Sequence, residues 1–283
     1  METIRIDGKE IAKICRGESR HRTQKLISEG VIPHLAVILV GENPASQVYV
    51  RNKEKACLSV GIKSTIIRFN ENCTQEELEK TIHSLNEDKG VHGILVQLPL
   101  PKHLNIQSIL GIIDPKKDVD GFHSINLGNL LHGTSGIIPC TPLGVMRLLK
   151  DYKIDVRGKN AVVIGRSLIV GKPMAALLLA EDATVTICHS KTQNLADYTH
   201  KADLIVAAVG KPAMLKADMI KEGAVLIDVG INRVDGHLVG DIDPNENGKA
   251  GWLTPVPGGV GPMTIAMLMN NCYEAALSHK LGE

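Results

Sequence analysis

Aromatic side chains are scarce in this chain, which has one Trp, four Tyr and two Phe in 283 residues. Platforms for stacking bases are correspondingly few, and the interior must be built from Val, Ile, Leu, Ala and Met. A charge excess is also missing, with 32 basic against 31 acidic side chains and a net charge of +1. The basic excess or stripe of a nucleic-acid binder is therefore absent. No apolar run approaches the ~18 residues of a membrane span. The opening METIRIDGKEIAKIC has neither a long apolar stretch nor a small-residue cleavage site, so no signal peptide is expected. Cys15, Cys57, Cys73, Cys140, Cys188 and Cys272 form no C-x-x-C pair, and the histidines form no H-E-x-x-H. No metal site is expected; scattered cysteines in a chain this long read as reduced, packed thiols. Together these absences favour the cytoplasm or an organelle matrix.

What is present is an ordinary globular composition, 43% hydrophobic and 22% charged, with room for one large domain or two of ordinary size. Residues 8–29 carry helical periodicity and stop at Gly30, a C-cap. LAVILV (35–40) reads as a buried strand, Pro44 opens a helix to about Val60, and IKSTIIRF (62–69) alternates as a strand. Thr74-Gln75-Glu76-Glu77 is a capping box, and HGILVQL (92–98) is a third strand. This β-α-β-α-β order implies parallel strands with right-handed crossovers. The stretch 114–142 is rich in Gly, Pro, Asp and Asn and reads as loop, with the domain junction near its end. A second alternation follows: NAVVIG (160–165), a helix from about Leu168, ATVTIC (183–188), a helix from about Gln193, DLIVAAVG (203–210) and AVLIDVG (224–230). VDGHLVGDI (234–242) reads as a hairpin, and a long helix after Pro262 is expected to return to the first domain. The expected fold is α/β with two domains: residues 1–138 plus 262–283 with parallel strands, and a Rossmann-like domain at 139–261.

VVIGRSLIVGKP (162–173) carries a buried strand through Gly165 into a turn and a helix. Ligands of open α/β sheets gather at such strand ends, and helix N-terminal amides favour a pyrophosphate. The G-x-G-x-x-G spacing is broken, with Ser167 where the second glycine usually stands and Gly171 one place late. A glycine turn of this kind also serves packing alone. The next strand weighs for a nucleotide. An NAD site carries an acid about 20 residues on, whereas this strand ends Cys188-His189-Ser190-Lys191-Thr192. A hydroxyl with Lys191 and Arg166 suits a 2′-phosphate, so the expected cofactor is NADP rather than NAD.

A substrate domain is needed beside it. Tyr49 and Lys53 stand i, i+4 on one helix face. The same Y-x-x-x-K serves short-chain dehydrogenases, but there it follows the nucleotide turn; here it precedes that turn by over a hundred residues. As an isolated match it is more commonly a surface tyrosine over a lysine stem. Gln97 ends the third strand and Asp120 sits in DVDGF, positions where α/β domains place function; a loop cap and an Asx-turn are the structural alternatives. The glycines of PVPGGVGP allow a ligand close approach, or simply a tight connection.

PASQVYVRNK, VQLPLP, KKDVDGFH, PCTPLGV, GRSLIVGKP, CHSKT and PVPGGVGPMT, taken in order over nearly the whole length, resemble the bifunctional methylenetetrahydrofolate dehydrogenase/methenyltetrahydrofolate cyclohydrolase family. The resemblance implies two α/β domains around a cleft, the first binding folate and the second NADP. It implies oxidation of 5,10-methylenetetrahydrofolate and hydrolysis of the methenyl product to 10-formyltetrahydrofolate, in the one-carbon metabolism that feeds purine, methionine and histidine biosynthesis. On this resemblance Lys53 is the general acid/base, Tyr49 orders the ring system, Gln97 hydrogen-bonds Lys53 and Asp120 holds the pterin. Ser46, Pro257, Gly258 and Gly259 complete the folate site, and Gly165, Arg166, Ser167, Ser190 and Ile231 hold the cofactor. A cytoplasmic homodimer is implied, with VDGHLVGDI as the expected contact; that segment reads equally as an edge guarded by charge. Two other readings stay open: an NADP dehydrogenase of another small metabolite with a shikimate-type layout, and a silent nucleotide-binding scaffold that needs no Lys53.

Overall fold

The computed structural model describes residues 2–243 and 249–282; Met1 and Glu283, the ends of the expected first domain, lie outside them. The chain opens with β1 (Ile4–Arg5), α1 (Gly8–Ser28), β2 (His34–Val40), α2 (Pro44–Val60), β3 (Lys63–Phe69), α3 (Gln75–Glu87) and β4 (Gly93–Val96). The short helices α4 (Ile106–Gly111) and α5 (Ser124–His132) lead to α6 (Cys140–Asp151). Then come β5 (Asn160–Ile164), α7 (Gly171–Ala180), β6 (Thr184–Cys188), α8 (Leu195–Thr199), β7 (Leu204–Ala207) and β8 (Val225–Asp228). The chain ends with β9 (Asn232–Val234), β10 (His237–Val239), β11 (Trp252–Leu253) and α9 (Val260–Leu281).

Contacts divide the chain into a first unit of Lys13–Cys140 with Ile265–Glu283 and a second of Met1–Ala12 with Thr141–Thr264. The last helix thus closes on the first unit, as the sequence suggests. The opening segment differs from expectation. It joins the second unit because β1 pairs in parallel with β11, Ile4 opposite Trp252. A two-residue strand has no periodicity to read, so only its distant partner defines it.

The first unit carries a parallel sheet in the order β3-β2-β4. Every residue of β2 after His34 is buried, as expected of a parallel strand covered on both faces. Asn43 accepts from the amides of Ala45 and Ser46 to start α2, and Gly61 ends it in the left-handed region, so both helix ends are capped. Thr74 and Glu77 form the capping box of α3. Against α9, Arg22 of α1 hydrogen-bonds Asn270 at 2.9 Å, pairs with Glu274 and lies over the Tyr273 ring. The loop expected at 114–142 contains α5, capped by the His123 side chain and by Gly133; its glycine and asparagines hid the periodicity.

The second unit carries a six-stranded sheet, β1-β11-β8-β7-β5-β6, paired in parallel throughout. β9 and β10 form the expected antiparallel hairpin, with Asp235 and Gly236 at φ 49° and 80°, as a two-residue primed turn requires. α7 begins three residues later than Leu168. The intervening turn is held by Ser167, whose Oγ accepts from the amides of Val170 (3.1 Å) and Gly171 (3.3 Å).

Candidate functional site

In the first unit α2 supplies Ser46, Tyr49 and Lys53 from one stretch of helix. Lys53 is 8% exposed, and its Nζ donates to Gln97 Oε1 at 3.1 Å. The Gln97 amide nitrogen donates to the Leu98 carbonyl at 2.7 Å, so the amide is held with its oxygen toward the lysine. The Gln97 backbone amide continues the ladder to Ile38 of β2 at 2.9 Å. A buried ammonium is costly without a partner; here strand β2–β4 pairing delivers one. Asp120 is partly exposed; burial raises its carboxyl above the ordinary carboxylate range, and the charge of Lys53 pulls it back. That coupling puts Lys53 and Asp120 within electrostatic reach. Tyr49 is half-exposed, and burial of its hydroxyl raises that group too. Ser46 is buried.

Asp120 stands on a loop fastened at each side. Lys117, itself buried, donates to the carbonyls of Leu85, Asn86 and Asp88 at the end of α3. Asp118 accepts from the His123 amide at 2.7 Å and from Asn126 Nδ2 at 3.0 Å, tying the loop to α5. Asn271 of α9 donates to the carbonyls of Val119 (3.0 Å) and Ile138 (2.9 Å). Gly121 follows at φ 75°, where a Cβ would lie 2.6 Å from Pro139 N. Cys57, Cys140 and Cys272 lie behind this group. All three are free and buried, and burial pushes their thiols up, Cys57 to about 12.

In the second unit Ile164 of β5 pairs with Cys188 of β6, and the Gly165 amide donates to the Cys188 carbonyl at 2.8 Å. The strand ends therefore bring Arg166 and Ser167 beside Ser190 and Lys191, all four exposed. No carboxylate stands in 189–192. A Cβ on Gly165 would lie 2.4 Å from the Ala208 carbonyl oxygen, and one on Gly171 would lie 2.2 Å from that of Gly165. The turn thus keeps its backbone bare, as a phosphate cradle needs. Two cations, a hydroxyl and no acid fit the 2′-phosphate of NADP. Ser167, expected at the cofactor, spends its acceptor capacity on the start of α7.

Ile231 follows β8, two strands from β5, and is 47% exposed. In 257–259, Pro257 is exposed while Gly258 and Gly259 are buried. Lys53, Gln97 and Asp120 are thus gathered in the first unit, and Gly165, Arg166, Ser167 and Ser190 in the second. Asp118, Lys117 and Asn271 were not singled out from sequence. Lys117, the second lysine of KKDVDGF, looks solvated in one dimension, and Asn271 is 151 positions from the aspartate it braces.

Residues 6–120 match the catalytic domain of tetrahydrofolate dehydrogenase/cyclohydrolase, and residues 139–280 match its NAD(P)-binding domain. The chain is 60% identical over 273 residues to the bifunctional protein FolD of Campylobacter concisus, covering 96% of both chains. The solved bifunctional enzyme FolD of Campylobacter jejuni, a methylenetetrahydrofolate dehydrogenase/cyclohydrolase, is 54% identical with a TM-score of 0.96, covering 98% of this chain and 99% of that one. The methylenetetrahydrofolate dehydrogenase-cyclohydrolase of Trypanosoma brucei, solved with NADP and an inhibitor, is 38% identical with a TM-score of 0.94, each chain covered in full.

Proposed function

The chain belongs to the tetrahydrofolate dehydrogenase/cyclohydrolase family, and from that premise we propose how its own side chains divide the work. It is an NADP-dependent methylenetetrahydrofolate dehydrogenase and a methenyltetrahydrofolate cyclohydrolase, acting in one-carbon metabolism. The buried Lys53–Gln97 hydrogen bond, with Asp120 in electrostatic reach, carries the assignment of roles.

In the oxidation, the carbon that loses hydride is held between two nitrogens whose lone pairs stabilise the developing cation, so no strong base is needed. NADP, when bound, accepts that hydride. Positioning is then the chain's main contribution. Asp120 accepts two N–H donors from the pterin, Tyr49 packs along the ring system, and Ser46 lines the same site. Pro257, Gly258 and Gly259 are assigned to folate by the family resemblance. Arg166 and Ser190 take the 2′-phosphate, Gly165 and Ser167 form the pyrophosphate turn, and Ile231 offers its backbone near the nicotinamide.

In the hydrolysis, water adds to the methenyl carbon and loses a proton. The resulting hydroxyl then loses its own proton as the bond from that carbon to one nitrogen breaks and that nitrogen gains a proton, leaving the formyl group on the other, with one proton released overall. Lys53 moves these protons as general acid and base. Gln97 holds its ammonium in place by the acceptor described above. The enzyme works in the cytoplasm as a homodimer joined through the β9–β10 hairpin, where Val234 and Leu238 stand 40% exposed; light scattering of a Leu238→Asp variant should report monomer.

Lys53→Met tests the central role. General acid–base groups contribute about 10²–10⁴-fold, so hydrolysis of methenyltetrahydrofolate should fall toward its spontaneous background while NADP binding stays intact. Conversion at the wild-type rate above that background would remove Lys53 from the mechanism.

A further inference from the structure

Two carboxylates are buried at the carboxyl ends of β7 and β8, Asp241 at 0% and Asp228 at 4% exposure. Among the described residues neither forms an ion pair. Asp241 instead takes four hydrogen bonds. Oδ2 accepts from the amides of Val209 (2.7 Å) and Gly210 (3.0 Å), and Oδ1 from the amide of Lys211 (2.9 Å) and Asn232 Nδ2 (3.0 Å). Asp228 accepts from the amides of Gly230, Asp241 and Ile242, each at 2.9 Å, while its own amide donates to Thr254 Oγ at 2.7 Å. Space is left for both groups by glycine: a Cβ on Gly230 would stand 2.2 Å from Asp241 Oδ1, and one on Gly240 would stand 1.8 Å from Asp228 Oδ2.

Three consecutive amides converging on one point form the concavity that elsewhere receives a phosphate. At 209–211 the chain's own carboxylate fills it, delivered by the hairpin that returns Asp241 to the strand ends. Asp228, beneath, fixes Gly230 and hence the backbone entering Ile231. The clamp also reaches β5, because Gly165 lies against Ala208, the residue before Val209.

We propose that Asp241, seated on Asp228, is a positioning residue for the dehydrogenase reaction. It fills the β7 nest so that phosphate is received only at the β5–α7 turn, and it holds 209–211 and 230–232 as one rigid wall of the cofactor site. The inference rests on the reading that these strand ends hold NADP. Neither carboxylate is exposed to touch the cofactor, so the effect runs through the backbone.

Asp241→Asn preserves volume but turns an NH₂ group on amides that are themselves donors. It should raise the NADP Kd and the dehydrogenase KM for NADP at least tenfold and leave methenyltetrahydrofolate hydrolysis, assayed without cofactor, within twofold of wild type. Asn232→Ala removes one of the four donors and should raise the NADP Kd severalfold in a protein that melts cooperatively. It decides the matter if Asp241→Asn does not fold. Wild-type NADP affinity in a cooperatively folded Asp241→Asn, or in Asn232→Ala when the first is unfolded, overturns the inference. Arg166→Ala serves as reference. A weakened reference beside unweakened clamp variants sinks the clamp alone, whereas an unweakened reference sinks the cofactor reading beneath it.

Discussion

Asp120 shows how one side chain's chemistry depends on residues that never meet a ligand. Its carboxyl is raised by burial and restrained by Lys53, and its backbone is pinned on either side by Asn271 and Gly121. Asn271→Leu would leave the Ile138 carbonyl without its side-chain donor, at a cost of about 1–3 kcal/mol, and the Val119 carbonyl with only the weak Cys140 thiol donor at 3.2 Å. The expected result is a folate KM raised tenfold or more with the NADP Kd unmoved, read from steady-state kinetics and calorimetry. The residues proposed to carry chemistry stand out in sequence because each lies in a dense local motif: Tyr49 and Lys53 on one helical face, Gln97 at a strand end, Asp120 between Val and Gly. The residues that hold them in place were not, since Asn271 and Asp241 act on backbone contributed by distant segments.

At the scale of elements, the periodic segments and their caps were legible. Pro44 and Asn43 start α2, and Thr74 with Glu77 starts α3. The end of β4 nearest the N-terminus holds a feature that no pattern signals. His92 is buried with an unpartnered Nδ1, and its ring meets that of His279 edge-on, centroids 5.2 Å apart. Burial, then the charges of His279, His34 and Lys117, push it down from 6.5 to about 4. A folded value below the unfolded one means the native state resists protonation. The penalty is absent above pH 6.5, grows as pH falls toward 4, and then levels off, reaching no more than roughly 3 kcal/mol. His92→Phe should therefore flatten the loss of unfolding free energy between pH 6.5 and 4 in denaturant titrations. Asp228 has the opposite sign. Burial and then Asp241 raise it to about 6 despite three amide donors, so its contribution strengthens the fold as pH falls through 6. Comparing variant with wild type cancels that term.

At the scale of the molecule, the expected functional residues divide between the two units, and Pro257, Gly258 and Gly259 of the expected folate set belong to the second. The polar triad Lys53, Gln97 and Asp120 lies in the first, and the turn with its neighbouring cations in the second. Cofactor choice belongs at this scale, because it depends on adjacent strands 20-odd residues apart meeting side by side. Arg166→Ala removes one of the exposed cations beside Ser190. A charge-assisted contact contributes about 1.5–3 kcal/mol, so the NADP Kd should rise roughly ten- to a hundredfold while the NAD Kd moves little. Fluorescence titration with both cofactors measures the ratio, and an unchanged ratio would take Arg166 out of the 2′-phosphate site.

Sequence alone determined the α/β alternation, the helix ends and the chemistry of the motif residues, because these depend on periodicity, capping and local residue type. Tertiary structure decided the rest. It drew Ile4 and Arg5 into the second unit's sheet through β1 and β11, brought Asn271 to the Asp120 loop, and folded a hairpin back to place Asp241 on the amides that follow β7. Each of these is a pairing between distant segments, settled by which buried backbone groups still need a partner, and a one-dimensional pattern carries no record of that need.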